Sequence, residues 1–276
     1  MTEPSRTSPP RESQLREIAE TFAPVVWLHK DDEYRPSSVD WYLARASLEY
    51  NNKRTIIEEG KITGAALISQ TVESDHLDVA KAPYNRNQKF NLKIKNEPSI
   101  MKGDLNTARC YVHIRSNSGN LDIQYWFFYP YNGALAGSGA HEADWEHITI
   151  RFRTSNPQDK NDIEQVYFSR HSSTIWIKNE NRKIEFEDKR PVIFSARHSH
   201  ANYSTPEQHG GLGFTDKANR DVRWETWTQG GGLDFLEDNP ANELRHLWNR
   251  FNGNWGGSKS MVSTPGIRGK HGWDAD

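Results

Sequence analysis

The segment Ile123–Ile150 constrains this chain more than any other, because it joins an unbroken apolar strand to a strand that carries two acids. From Ile123 to Tyr129, every residue except Gln124 is apolar or aromatic. A strand with this pattern is typical of a position buried on both faces. The second strand instead alternates, so that Asp144 and Glu146 share one face of it.

That acidic face continues as apolar core at Ile148, so two carboxylates are predicted to lie directly above the interior. Buried carboxylates are costly unless something compensates their charge, and a bound cation is one natural compensation. The predicted ligands are Asn132, His141, Asp144 and Glu146. Three oxygen donors and one imidazole suit Ca²⁺, Mg²⁺ or Mn²⁺, whereas Zn²⁺ prefers more His or Cys. The alternative is a hydrogen-bonded polar cluster that tethers the glycine-rich loop 133–139.

Composition and charge narrow the class of protein. The formal net charge is −2, from 35 basic and 37 acidic residues, which gives no electrostatic basis for binding nucleic acid. The single cysteine, Cys110, excludes an intrachain disulfide. Neither a signal peptide nor an apolar stretch long enough to be transmembrane is evident. We therefore expect a cytoplasmic location by default, with any release following a non-classical route.

The order of predicted elements favours an all-β fold. Residues 1–12 are rich in Pro, Ser and charge and are predicted to be a disordered tail, and residues 13–276 to be a single domain. Helices are predicted at Ser13–Phe22 and at Asn239–Phe251. Between them, short strands with turn signals recur, which favours a jelly-roll-like β-sandwich with long loops and a short C-terminal helix. The clearest strands are predicted at 109–115, 121–129, 145–153, 163–169, 174–177, 183–187 and 192–196.

Three histidines extend the candidate site. His198 and His200 are two residues apart, so they would share a face of a strand, and His171 lies earlier in the chain. If their loops meet the Asp144 end of the sandwich, His200 or His171 can act as a base or as an outer partner of a ligand. The alternative is that His200 only hydrogen-bonds loop backbone.

Four blocks of the chain resemble one known family. They are FAPVVWLHKDDEYRPSSVDWYL (22–43), LDIQYWFFYPYNG (121–133), HEADWEHITIRF (141–152) and FSARHSHANY (194–203). Together with a fifth block, WNRFNGNWG followed by STPGIRGKHGW, they resemble the vacuolar protein sorting-associated protein 62 family along nearly the whole chain. The resemblance implies a single β-sandwich with decorated loops, and it implies little about function.

A second, more distant resemblance is confined to the acidic strand. His141-x-x-Asp144-Trp145-Glu146 is similar to the His-Asp-Trp-Glu core of the necrosis- and ethylene-inducing peptide-like cytolysins. The likeness implies that the His, Asp and Glu hold a divalent cation, with an upstream Asp completing the site. Here Asn132 stands in place of that Asp, which keeps a carbonyl oxygen but removes one negative charge.

Three functions remain open from the sequence. The first is a toxin-like or lectin-like protein whose cation orders loops that recognise a glycan or lipid head group. The second is a metal-dependent enzyme, a hydrolase or lyase acting on a small-molecule substrate through the same cluster. The third is a trafficking or scaffold protein with a structural cation. Paired carboxylates also suit glycoside hydrolysis. The sequence does not define the oligomeric state.

Overall fold

The computed structural model describes residues 12–71, 87–117, 120–134, 139–170, 173–211, 214–236, 245–256, 264–270 and 273. The predicted disordered tail therefore lies outside the described residues except for its last position, Glu12, which begins the first helix. His171 also lies outside them.

The helices are short. Their bounds are Glu12–Phe22 (α1), Val39–Leu43 (α2), Gly64–Thr71 (α3) and Pro98–Met101 (α4). The prediction of a helix at Ser13–Phe22 is confirmed, since α1 buries Ile18, Ala19 and Phe22 on one stripe. Single turns of 3-10 helix occur at Leu105–Thr107, Lys160–Asp162, Asn179–Asn181, Leu247–Arg250 and Ile267–Gly269.

Strands are the most common regular structure among the described residues. The first nine are Val25–Leu28 (β1), Ala46–Tyr50 (β2), Arg54–Ile57 (β3), Asn87–Ile94 (β4), Cys110–Asn117 (β5), Asn120–Asn132 (β6), His141–Phe152 (β7), Ile163–Arg170 (β8) and Ser173–Lys178 (β9). The others are Phe186–Glu187 (β10), Arg190–Ser195 (β11), Asn202–Tyr203 (β12), Gln208–Gly211 (β13), Phe214–Lys217 (β14), Val222–Glu225 (β15), Leu233–Phe235 (β16), Gly253–Trp255 (β17) and Thr264–Pro265 (β18).

A six-stranded sheet in the order β16-β5-β6-β7-β8-β9 forms the centre of the fold. Its longest ladder pairs β6 with β7 in antiparallel register, from Leu121 opposite Phe152 to Asn132 opposite His141. Two five-stranded sheets accompany it. One has the order β10-β11-β1-β15, with β12 added beside β11, and the other has the order β18-β17-β4-β2-β3.

The central sheet is buried on both faces. One face carries Tyr125 and Ile148, which belong to a core shared with α1 and with residues of β1 and β11. The opposite face carries Trp126 and Trp145, which belong to a second core shared with β2, β4 and β17. Because both faces are covered, β6 has the continuous apolar sequence that the sequence analysis interpreted as a doubly buried strand.

The all-β fold class is confirmed, whereas the C-terminal helix is shorter than predicted. Residues 239–244 lie outside the described structure, and the described remainder of that segment contains only the 3-10 turn Leu247–Arg250. Phe251 is already extended, at φ −67° and ψ 115°. Trp248 stacks on Trp145 with ring centroids 5.8 Å apart, so packing into the second core outweighs local helix propensity here. Within the described residues, no helix is both long enough and apolar enough to cross a bilayer.

Because both faces of the central sheet are covered, we expect the loss of stability on shortening a side chain to depend on how deeply that side chain is buried. We expect Ile148→Ala to lower the free energy of unfolding by about 2–5 kcal/mol, because it leaves a cavity beneath a fully buried strand. Ile175→Ala on β9, where the side chain is only partly buried, serves as the control and should cost clearly less. Urea unfolding of both variants measures the difference, and equal losses would contradict the assigned core.

Candidate functional site

The four predicted ligands lie at one end of the β6–β7 ladder. Asn132 is opposite His141, and Tyr129 is opposite Asp144. Asp144 and Glu146 are buried and continue the face that carries Ile148, as the strand alternation predicts. The ladder therefore brings the candidate residues of both strands to the same end of these two central strands.

A left-handed residue interrupts β7 inside this group. Ala143 has φ 53°, a conformation that costs a residue with a Cβ about 1–2 kcal/mol. A regular strand would direct His141 and Asp144 to opposite faces, since they are three residues apart. With Ala143 between them, the His141 imidazole and the Asp144 carboxylate interact electrostatically, and this interaction opposes in part the lowering of the pKa of His141 by burial. No feature of the sequence indicates this conformation.

Protein donors contact both acids. The Nδ1 atom of His200 lies 3.0 Å from Oδ2 of Asp144, and Ser169 donates its hydroxyl to Oε2 of Glu146. Oδ1 of Asp144 faces a different group, the Nζ atom of Lys270, at 3.5 Å. One oxygen of each acid is thus oriented by an outer partner, which is how ligating carboxylates are commonly positioned.

The pKa values of these acids move in opposite directions. Burial and the charge of Asp144 raise the pKa of Glu146 well above its ordinary value. Burial also acts to raise the pKa of Asp144, but the charge of Lys270, the hydrogen bond with His200 and the nearby imidazole of His141 hold it below its ordinary value. The pair therefore favours one ionised and one protonated carboxyl, since the surrounding positive charge does not stabilise two carboxylates.

His200 lies at the centre of the site and is fully buried. Its ring stacks on Tyr129 with centroids 3.7 Å apart and an interplanar angle of 5°. Its Nδ1 contacts Asp144, and its Nε2 lies 3.6 Å from Oδ2 of Asp32. His200 thus links two acids that are far apart in sequence. Of the roles considered for it, this geometry favours the outer partner that positions a ligand.

Asp32 is a site residue that the sequence analysis missed. Its two carboxylate oxygens accept hydrogen bonds from the backbone N–H groups of Tyr34, at 3.0 Å, and His198, at 3.1 Å. His198 and His200 both have left-handed backbone, with φ 69° and 55°. Clustered strain of this kind is common at functional sites. Asp32 lies in one of the blocks that carry the family resemblance, and that was the available signal.

His141 is oriented by the C-terminal part of the chain. Its Nδ1 lies 3.1 Å from Oγ1 of Thr264 and 3.3 Å from the carbonyl oxygen of Glu142. Burial is the main cause of the lowered pKa of His141, so the neutral imidazole is favoured. A neutral imidazole whose Nδ1 is engaged presents Nε2 as a ligand atom.

The hydrogen bonds of Asn132 support in part the alternative of a polar cluster that tethers the glycine-rich loop. Its amide nitrogen donates hydrogen bonds to the carbonyl oxygens of Gly133, at 2.9 Å, and Gly139, at 3.2 Å. These bonds tether the two ends of the glycine-rich loop, whose residues 135–138 lie outside the described structure. They use only the nitrogen, so Oδ1 of Asn132 remains a potential donor to a cation.

The donor set fits a hard divalent cation, although the side chains do not enclose one in this arrangement. The candidate donor atoms are Oδ1 of Asn132, Nε2 of His141, Oδ1 of Asp144 and Oε1 of Glu146. In each side chain the other polar atom is held by a protein partner. Across the described ranges, no three His, Cys, Asp or Glu side chains converge as they would around a bound ion. The ligand assignment stays a prediction.

A groove of about 710 Å³ adjoins the site. It lies over strands β2, β3 and β4 and ends at Tyr131, His141 and Glu142. Five glutamates and three basic residues line it, so the lining carries an excess of negative charge. Two of its pairs are salt-bridged: Lys93 with Glu49 at 3.4 Å, and Lys95 with Glu59 at 2.8 Å.

Comparison with models of known protein families identifies the family of this chain. The model of the family described as vacuolar protein sorting-associated protein 62 matches residues 2–226. The chain belongs to that family, which confirms the resemblance seen in the sequence.

Two curated relatives come from Saccharomyces cerevisiae. The putative vacuolar protein sorting-associated protein TDA6 is 24% identical over 291 residues, covering 88% of this chain and 60% of its own length. Vacuolar protein sorting-associated protein 62 is 23% identical over 226 residues, covering 68% of this chain and 45% of its own length. The chain thus spans about half the length of these relatives.

Solved structures of necrosis- and ethylene-inducing proteins are similar at lower levels of sequence identity. The non-toxic HaNLP3 protein is 11% identical, with a TM-score of 0.45 over 90% of this chain and 86% of that chain. NLPPya in complex with mannosamine is 13% identical, with a TM-score of 0.42 over 89% of this chain and 84% of that chain. With TM-scores below 0.5, these similarities assign no function to this chain.

The raised pKa of Glu146 predicts a pH dependence of stability. Between its ordinary pKa of 4.5 and its raised value, the folded protein keeps a proton that the unfolded chain releases. The free energy of unfolding should therefore fall as the pH rises through this window. Glu146→Gln has no such titration, so its stability should decline less between about pH 5 and pH 8.

Urea unfolding in the presence of a chelator measures this difference. Comparison with the variant cancels the opposite contribution of His141, whose pKa is lowered by burial. Glu58→Gln, at an exposed glutamate of the groove, is the control and should follow the wild type. Parallel curves for the wild type and Glu146→Gln would contradict the assigned environment of Glu146.

Proposed function

We propose that this protein binds a divalent cation and uses it to recognise a polar ligand, a glycan or a lipid head group, in the adjoining groove. The observation that carries this proposal is the pair of buried carboxyl groups, Asp144 and Glu146, of which Asp144 is contacted by His200 and Lys270 and Glu146 by Ser169. Two carboxylates this close are both stabilised in the ionised form when a divalent cation supplies further positive charge.

The donor chemistry favours Ca²⁺, Mg²⁺ or Mn²⁺ as the cation. Asn132, Asp144 and Glu146 offer oxygen atoms, and His141 offers a single imidazole nitrogen. Oxygen-rich sites suit hard cations, whereas zinc sites are usually richer in imidazole and thiolate. The only cysteine, Cys110, is buried within strand β5 and is separate from these residues along the chain.

The groove favours a neutral glycan over an anionic lipid head group. Its five glutamates outnumber its three basic residues, so it repels an anionic ligand. Tyr131 provides a partly exposed ring at the end of the groove nearest to His141. Aromatic rings beside polar groups suit the apolar faces and hydroxyl edges of sugars.

The burial of His200 favours a binding protein over an enzyme. A general base must reach the proton that it abstracts, directly or through one water. His200 is instead enclosed by Tyr129, Asp32 and Asp144. Among the described residues, the candidate base His200 is therefore better placed to orient a ligand than to reach a substrate proton.

Removing one carboxylate tests the cation site. We expect Asp144→Asn to abolish stoichiometric binding of Ca²⁺ or Mn²⁺ while the protein stays folded, because the two cores do not depend on this residue. The wild type should gain about 2.7 kcal/mol of unfolding free energy at a cation concentration 100 times its Kd. Elemental analysis and calorimetric titration measure the binding.

Asp31→Asn is the matched control, since Asp31 is an exposed acid next to Asp32. It should bind the cation as the wild type does. Stoichiometric metal retained by Asp144→Asn would refute the assignment of the ligands.

A variant in the groove separates ligand recognition from cation binding. We expect Tyr131→Ala to weaken binding to a glycan by about tenfold, as loss of a stacked ring does, and to leave the cation affinity unchanged. Retention on a glycan array, with and without chelator, identifies a suitable sugar, and liposomes of neutral and anionic lipids test the alternative. Retention on anionic liposomes alone would contradict the glycan assignment.

A further inference from the structure

Lys270 reaches the predicted cation site from the last described segment of the chain. Its Nζ lies 3.5 Å from Oδ1 of Asp144, which is the oxygen that His200 leaves available. The family match ends at residue 226, so Lys270 lies beyond the part of the chain that the family model covers.

The ammonium group therefore lies against the carboxylate oxygen at which a divalent cation would be bound, and it supplies a positive charge there.

The backbone that presents Lys270 is firmly placed, whereas its side chain is not enclosed. Ile267, three residues earlier, is fully buried, and Arg268 donates a hydrogen bond to Oδ1 of Asn249 at 3.2 Å. The Lys270 side chain remains 24% exposed, against 4% for Asp144. A flexible stem on a fixed backbone lets the ammonium group withdraw to solvent without disturbing the segment.

The same segment also orients a predicted ligand. Thr264, on β18, contacts Nδ1 of His141, while Lys270 contacts Asp144 six residues later. One short stretch of chain thus supplies both an outer partner that favours cation binding and a charge that opposes it.

We propose that the Lys270 ammonium group is an internal competitor that occupies the place of the divalent cation and sets the affinity of the site. This inference rests on the proposed cation binding. A divalent ion binds when it displaces the ammonium group from Asp144, and the tethered lysine returns when the ion leaves. The wild-type affinity is therefore lower than the ligand set alone would give.

Calorimetric titration of the chelator-treated full chain with CaCl₂ and MnCl₂ tests this proposal. Lys270→Gln should bind the cation roughly 10- to 100-fold more tightly than the wild type, since it removes one competing charge-assisted contact. Lys270→Arg retains the positive charge and should bind like the wild type. Asp144→Asn should not bind the cation, whether Lys270 is present or replaced by Gln.

Unfolding measurements distinguish competition from a purely structural ion pair. As a competitor, Lys270 stabilises the metal-free site only, so Lys270→Gln should be less stable than the wild type in chelator and at least as stable in excess cation. A structural ion pair would give the same loss of stability in both conditions, and that result would overturn the proposal.

The outcomes separate this inference from the function on which it rests. If the wild type binds the cation and Lys270→Gln binds no more tightly, the competition is refuted and the cation site stands. If Lys270→Gln binds where the wild type does not, the competition is established. If neither protein binds the cation, both the site and the competition are refuted.

Discussion

The burial of two carboxylates on one face of β7 is the constraint on which the rest of the site depends. Asp144 and Glu146 lie on the same face of β7 as Ile148, so the strand alternation that buries Ile148 also buries the two acids. Their mutual repulsion in a poorly solvated environment requires compensating groups. The structure supplies these from distant parts of the chain: His200 and Lys270 on Asp144, and Ser169 on Glu146.

This compensation explains several features that would otherwise be unrelated. The left-handed residues Ala143, His198 and His200 all lie in the segments that meet at the acids. Asp32 holds the backbone of His198 and also faces the ring of His200. Three of the seven described non-glycine residues with left-handed backbone lie at this end of the central sheet, while the two cores below are ordinary aromatic and aliphatic packing.

Membership of the vacuolar protein sorting-associated protein 62 family relates the fold to its relatives without assigning chemistry to the site. The chain spans 60% and 45% of the lengths of the two yeast relatives. Residues beyond the family match, among them Thr264 and Lys270, contact the candidate ligands directly.

We could predict from the sequence the doubly buried strand β6, the alternation that places Asp144 and Glu146 on the core face, and the helix α1. Each of these follows from local periodicity, which sequence displays directly. Tertiary structure alone decided that His200 lies between Asp32 and Asp144, and that Lys270 lies against Asp144. It also decided that the segment before Phe251 ends in a single 3-10 turn. Contacts between residues more than 50 positions apart, and single left-handed residues such as Ala143, leave no periodic trace in the sequence, because they depend on how whole layers pack together.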